Sequence, residues 1–252
     1  MPNSFFDPEK FTITIEVVPP SGIDPEPLLE KILSINHLPF QGYSVATNPV
    51  AKSKMSALVF SHLLQTKSCK KAILHFTVRD HNRLGLQSEL WGANAIGLDT
   101  VICVTGDPSA SAPENPTTTV NDLNVFDLIS MARQSHVYTG AVLDFRPEVD
   151  GLDHEVRRLE RKVDAGAQFI VTQPVYDEKT ALEIHAATRP LNVPVIMGVL
   201  PLISFKHAVF LHDKVAGIAV PKSIRQELEN TQDPLDHCRS LSKQMLDLAK
   251  QY

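Results

Sequence analysis

The chain is 252 residues long, 43% apolar and 21% charged, with a formal net charge of −5 at neutral pH. That length allows one large α/β barrel or two smaller domains, while the mild acidity and the lack of Lys/Arg runs argue against a nucleic-acid surface. Apolar stretches stop at strand length, Met-Pro-Asn-Ser is no secretory signal, and Cys69, Cys103 and Cys238 lie too far apart for a disulfide framework or a metal site, so a cytoplasmic protein with no membrane span and no metal is expected.

The first strand is expected at 11–18. Thr12, Thr14 and Glu16 fall on one face, Ile13, Ile15 and Val17 on the other, and Pro19-Pro20 ends the run. A helix follows at 26–37, then a strand at 42–47, a helix at 51–66 and a strand at 71–78 carrying His75 and Thr77. Next come a helix at 80–96 and a strand at 99–105 that runs into Gly106-Asp107. Residues 107–120 are rich in Pro, Ser and Thr and read as a long loop on the active-site face. Then follow a helix at 121–135, a strand at 139–145 bearing Asp144, and a charged helix at 152–165. A strand at 168–173 ends in Thr172-Gln173, a helix covers 178–188, a strand 194–200 and a helix 204–216. Residues 222–252 read as two C-terminal helices, with Leu241, Met245, Leu248 and Ala249 on one apolar face.

Strict β-then-α alternation at roughly thirty residues per unit implies right-handed crossovers and a parallel sheet. The fold class expected is α/β, a (β/α)8 TIM-type barrel in a single domain over 1–252. Seven strands are evident and an eighth is not; Gly217-Ile218-Ala219-Val220 is a weak candidate for it. Polar side chains recur at the carboxyl ends of the strands, where a purely structural core would be apolar. Barrel enzymes build their sites at that end.

Several of these residues could do chemistry. Glu16 sits at a strand mouth, where desolvation would raise its pKa and make it a general acid; a structural ion pair is the equal alternative. Gly106 lets the backbone approach a ligand beside Asp107, although Asp-Pro is also a common turn. His75 reads more readily as a hydrogen-bonded core group than as a ligand. Arg161 and Lys162 belong to a charged helix whose default is a solvated outer face. The Gln173 amide can both donate and accept, which suits an amide-rich heterocycle such as a pterin or flavin. No G-x-G-x-x-G or phosphate-loop motif is present, so a dinucleotide-binding turn is not indicated.

Together these segments resemble the methylenetetrahydrofolate reductase family of flavin-dependent barrels. The resemblance is carried by Ile15-Glu-Val-Val-Pro-Pro20, His75-Phe-Thr77 with Arg79-Asp80-His-Asn82, and Val104-Thr-Gly-Asp-Pro108. Arg161-Lys-Val-Asp-Ala-Gly-Ala167, Thr172-Gln-Pro-Val-Tyr-Asp177 and Gly198-Val-Leu-Pro201 with Phe205-Lys206 complete it. It implies a flavoprotein oxidoreductase that interconverts 5,10-methylenetetrahydrofolate and 5-methyltetrahydrofolate by hydride transfer through flavin N5. The cofactor implied is FAD, with FMN as the alternative, and NADH or NADPH is the electron donor. By this resemblance Glu16 is the catalytic acid and Asp107 the carboxylate beside flavin and folate. Gln173 and Phe205 bind substrate, and Thr47, His75, Thr105, Gly106, Asp107, Glu155 and Lys162 hold the cofactor.

The family also implies one-carbon metabolism and methionine biosynthesis and a small-molecule folate substrate; a homo-oligomer is expected, and the eighth strand that is not evident raises dependence on an electron-supplying partner subunit. Asn121 and Phe145-Arg146 depart from the family's pattern, and Arg146 is a candidate partner for a flavin phosphate or for Glu148. Two other readings are a flavin-free pterin-binding methyl-transfer barrel and a non-catalytic folate-binding subunit.

Overall fold

A computed structural model describes residues 10–108, 117–147, 149–215 and 217–251. Seven strands alternate with helices. They are β1 (Thr14–Val17), α1 (Glu26–Leu33), β2 (Gly42–Val45), α2 (Ala57–Ser68), β3 (Lys71–Thr77), α3 (Arg83–Ala95), β4 (Thr100–Val104), α4 (Val125–Gln134) and β5 (Tyr138–Leu143). Then come α5 (Leu152–Asp164), β6 (Phe169–Pro174), α6 (Glu178–Thr188), β7 (Val195–Gly198), α7 (Phe205–Lys214), α8 (Lys222–Asn230) and α9 (Pro234–Ala249). This is the expected α/β fold of TIM-barrel type. Among the described residues no eighth strand forms, and Gly217–Val220 is a turn and irregular chain.

The chain divides into two compact units, one of residues up to 141 with 165–168, the other of 142–164 and 169 onward. In the first unit β1 pairs β2, β2 pairs β3, β3 pairs β4 and β4 pairs β5, all parallel. In the second unit β6 pairs β7, also parallel.

The first unit's strands are near-continuous apolar runs because parallel strands bury both faces. In β3, Ala72, Ile73, Leu74, Phe76 and Thr77 are all buried. The helices begin where capping side chains satisfy their free amides. Asn82 caps α3 through Gly85 N at 2.9 Å. Asn124 and Asp127 form a reciprocal capping box on α4.

The second unit has its own core of Tyr176, Leu202, Ala208, Leu211, Val220, Ile224, Leu228 and Cys238, with Phe205, Ile218 and Leu241 packed against it. Helices α8 and α9 form as predicted. Met245 and Leu248 are buried on α9, each contributing about 2 kcal/mol by leaving water. No helix among the described residues is long and apolar enough to cross a membrane.

Candidate active site

In the first unit the ends of β1, β2 and β3 place Glu16, Ser44 and His75 near one another. Glu16 is in register with Ser44, and the Ser44 hydroxyl lies 2.7 Å from His75 Nε2. Thr47 donates its hydroxyl to the His75 carbonyl. Burial pushes the His75 imidazole below its ordinary range, and the negative charge of Glu16 works against that. Glu16 itself is exposed. The expected desolvation is therefore not met: β1 ends one residue later, and the side chain leaves the strand mouth for solvent. Its carboxylate makes no hydrogen bond within the described residues. His75 is, as the core reading expects, a hydrogen-bonded group.

Asp107 follows β4 by three residues and is locked into a polar cluster. Its Oδ2 accepts from the Val50 amide at 2.6 Å, and its carbonyl accepts from Arg79 Nη1 at 3.0 Å. Arg79 also donates to the Asn48 carbonyl at 3.1 Å and, through Nε and Nη2, to both oxygens of Asp80 at 2.6 and 3.0 Å. Asp80 Oδ2 accepts further bonds from Asn48 Nδ2 at 3.1 Å and Thr77 Oγ1 at 2.9 Å. Burial works to raise the Asp80 carboxyl, but the bonds from Arg79, Asn48 and Thr77 and the Arg79 charge outweigh it and hold it below the usual carboxylate range.

Asn48, Val50 and Ala51 all adopt left-handed backbone, with φ of 41°, 50° and 56°. For a β-branched valine this is unfavourable and persists only where neighbours impose it. Gly106 has φ +87°, and a Cβ there would lie 3.1 Å from Arg79 Cβ and 3.3 Å from Thr77 Cβ. The glycine is thus required by backbone conformation and by the closeness of Thr77 and Arg79. Thr105 is exposed.

In the second unit β6 ends on a register irregularity between Val171 and Pro174. The irregularity spans Thr172 and Gln173. Thr172 Oγ1 accepts from the Gly198 amide at 3.0 Å and donates to the Gln173 carbonyl at 2.7 Å. A Cβ on Gly198 would sit 2.9 Å from the Thr172 carbonyl oxygen, so only glycine fits beside β6. The Gln173 amide makes no hydrogen bond within the described residues and lies against Gly217, whose added Cβ would be 3.3 Å from Nε2.

Lys162 is buried, not on a solvated face. It donates to the Val142 carbonyl at 2.5 Å and to Asp144 Oδ2 at 3.1 Å. Its place near the last turn of α5 turns it inward onto the end of β5. Glu155, also buried, bonds His154 Nδ1 at 3.0 Å. Arg158 Nη1 stands 3.9 Å from both Asp144 and Glu155, forming ion pairs without a hydrogen bond. Arg146 is paired with Asp150, at 2.8 Å from Nε to Oδ2 and 3.0 Å from Nη2 to Oδ1. Its alternative partner Glu148 lies outside the described residues. Phe205 opens α7 and packs into the apolar core.

Glu16, Thr47, His75 and Asp107 are therefore brought to neighbouring strand ends of the first unit, while Gln173, Lys162, Glu155 and Phe205 belong to the second. Residues 109–116 of the expected 107–120 loop lie outside the described residues. Sequence reading missed the joining role of Arg79, Asp80 and Asn48. The available signal was an Arg-Asp pair directly after a strand, where a fully buried guanidinium needs a carboxylate.

Comparison with known proteins follows the same line. A family model described as methylenetetrahydrofolate reductase matches residues 3–246. A probable methylenetetrahydrofolate reductase (NADPH) of Caenorhabditis elegans is 23% identical over 66% of this chain and 25% of its own length. The 5,10-methylenetetrahydrofolate reductase of Escherichia coli is 27% identical over 54% of this chain and 46% of its own. The chain thus spans less than half the length of these relatives. Among solved structures, an uncharacterized protein from Clostridium thermocellum described as binding two copies of 5-methyl-5,6,7,8-tetrahydrofolic acid superposes with a TM-score of 0.70. It shares 20% identity, over 95% of this chain and 83% of that one. The chain belongs to the methylenetetrahydrofolate reductase family.

Proposed function

From membership of that family, we propose that the chain is an enzyme interconverting 5,10-methylenetetrahydrofolate and 5-methyltetrahydrofolate with a bound flavin, FAD by preference, and a reduced nicotinamide as donor. The observation that carries this reading is that, within each unit taken by itself, strand ends otherwise tied into hydrogen bonds leave groups uncommitted. These are the Glu16 carboxylate, the second oxygen of Asp107 and the Gln173 amide. They supply an acid, an anion and a donor–acceptor amide, the inventory that a reduced pterin requires. In this reading the whole chain works as one catalytic domain. The free thiols Cys69, Cys103 and Cys238 suit a cytoplasmic setting.

The residues fit the ring of a flavin better than its phosphates. Thr105 is open and the Thr47 hydroxyl, which donates to the His75 carbonyl, keeps acceptor capacity, whereas Lys162 and Glu155 bond Val142, Asp144 and His154. Arg158, whose ion pairs with Asp144 and Glu155 include no hydrogen bond among the described residues, is a guanidinium able to meet an anionic group. When bound, the flavin would supply the two-electron carrier between nicotinamide and folate. Glu16, exposed, gives its proton to the folate nitrogen as the methylene bridge opens and takes it back in reverse. Asp107, fixed by Val50 and Arg79, orients the pterin by hydrogen bonding and disfavours other poses. Gln173 pairs with the pterin's amide edge.

The commitment of Lys162 to Asp144 favours a second reading, a barrel that binds methyltetrahydrofolate without flavin; the Clostridium thermocellum neighbour described as binding that folate is compatible with it. Purified protein decides between them. A yellow preparation that releases a flavin identified by mass, and bleaches with NADH or NADPH, supports the first. A colourless preparation that takes up no added flavin yet binds 5-methyltetrahydrofolate supports the second.

A further inference from the structure

We propose that Arg79 is a positioning residue for Asp107: its buried guanidinium holds the left-handed Asn48–Ala51 turn so that the Val50 amide fixes one carboxylate oxygen and leaves the other uncommitted. This rests on the reading of Asp107 as part of the folate site.

Arg79 is 4% exposed and ties together three loops, those after β2, β3 and β4. The forked pair with Asp80 sets the plane of the guanidinium. Its remaining donors then reach the carbonyls of Asn48 and Asp107. Asn48 is gripped from both sides, since Nδ2 donates to Asp80 and Oδ1 accepts from Lys54 N at 2.9 Å. Between these anchors Val50 is left with φ 50° and ψ 31°, a conformation an L-residue with a branched Cβ does not choose. That conformation aims its amide at Asp107 Oδ2, at 2.6 Å.

Released, the turn would relax to ordinary backbone and swing the amide away, freeing the carboxylate to rotate. A lysine at position 79 would keep the charge and lose the fork, because an ammonium is a point charge that cannot bond three loops in a plane. Nothing in this chain of contacts gives Arg79 itself a ligand. Its effect on chemistry passes through Asp107.

The test uses the full chain with Arg79→Lys, Asp107→Asn and the double variant. The first arm observes the Val50 amide by 15N–1H spectroscopy on valine-labelled protein and does not depend on folate chemistry. The resonance should lie downfield in the wild type and move upfield in Arg79→Lys; an unchanged resonance overturns the proposal. The second arm measures turnover of 5-methyltetrahydrofolate with a quinone acceptor. Arg79→Lys should lose about a hundredfold in kcat with little change in KM, as misplacement of a reacting group does.

The double variant should be no slower than Asp107→Asn alone, because the two residues act in series. Losses that multiply, or full turnover in Arg79→Lys, overturn it. Should Arg79→Lys fail to fold, Asp80→Asn frees the same guanidinium with a smaller perturbation and carries the same expectations. A wild type with no folate turnover refutes the functional reading and leaves the amide resonance to decide the clamp.

Discussion

Replacing Asp144 with alanine is the sharpest test of how the second unit is held. Lys162 is 4% exposed, with Asp144 Oδ2 at 3.1 Å and the Val142 carbonyl at 2.5 Å. Removing one member of a fully buried ion pair costs about 3–5 kcal/mol, because the other charge is left unpaired. Asp144 is itself 40% exposed, so solvent screens part of the pair, and the expected loss falls to about 2–3 kcal/mol. For a chain of this size that lowers the melting midpoint by about 5–10 °C. Lys162→Met together with Asp144→Ala removes the stranded charge and should recover to within about 1 kcal/mol of wild type, the cost of one unmet carbonyl. Thermal and urea unfolding read both. A single-variant loss under about 0.5 kcal/mol, within the range of ordinary surface changes, would refute the reasoning, as would a double variant worse than the single. The same experiment bears on the cofactor. If Lys162 turned to a phosphate when flavin binds, added FAD would stabilise Asp144→Ala more than wild type; the geometry predicts equal stabilisation.

Glu16→Gln should leave the melting midpoint unchanged, since the side chain is exposed and makes no hydrogen bond among the described residues, and should cut folate turnover about a hundredfold or more in a steady-state assay. Burial depresses the His75 pKa, so below about pH 6.5 the unfolded chain binds a proton that the folded chain resists, and stability falls as pH drops through that value. His75→Asn should flatten this slope in melting curves collected from about pH 7 to pH 5; a slope equal to wild type would assign it to other groups. The Tyr176 hydroxyl is buried without a hydrogen-bond partner among the described residues, so Tyr176→Phe should stabilise the fold by about 1 kcal/mol in urea titration, and destabilisation would reveal a partner for that hydroxyl.

Much of the fold was legible because its causes are local and periodic. All seven strands were readable as apolar runs, and α9 as a face of Leu241, Met245 and Leu248, because burial on both sides of a parallel strand and on one side of a helix imposes different spacings. The chemistry-bearing residues were legible as types at strand ends. Their environments were not. Lys162 and Glu155 sit in a helix whose charge suggests a wet face, yet both are buried and Lys162 meets the end of β5, a tertiary fact no window of sequence contains. Glu16 looked desolvated because a barrel mouth was assumed to enclose it, whereas β1 ends at Val17. The Asn48–Ala51 turn was invisible for a stricter reason. Valine argues against left-handed backbone, and the contacts that hold it include the distant Arg79, Asp80 and Asp107.

The proposed redox chemistry on a folate is tested most directly by the flavin's own spectrum. Flavin-loaded protein mixed without oxygen with 5-methyltetrahydrofolate should lose its visible absorption band in one turnover, with methylenetetrahydrofolate recovered by mass in equal amount. Tight binding of that folate with the band intact would contradict the account.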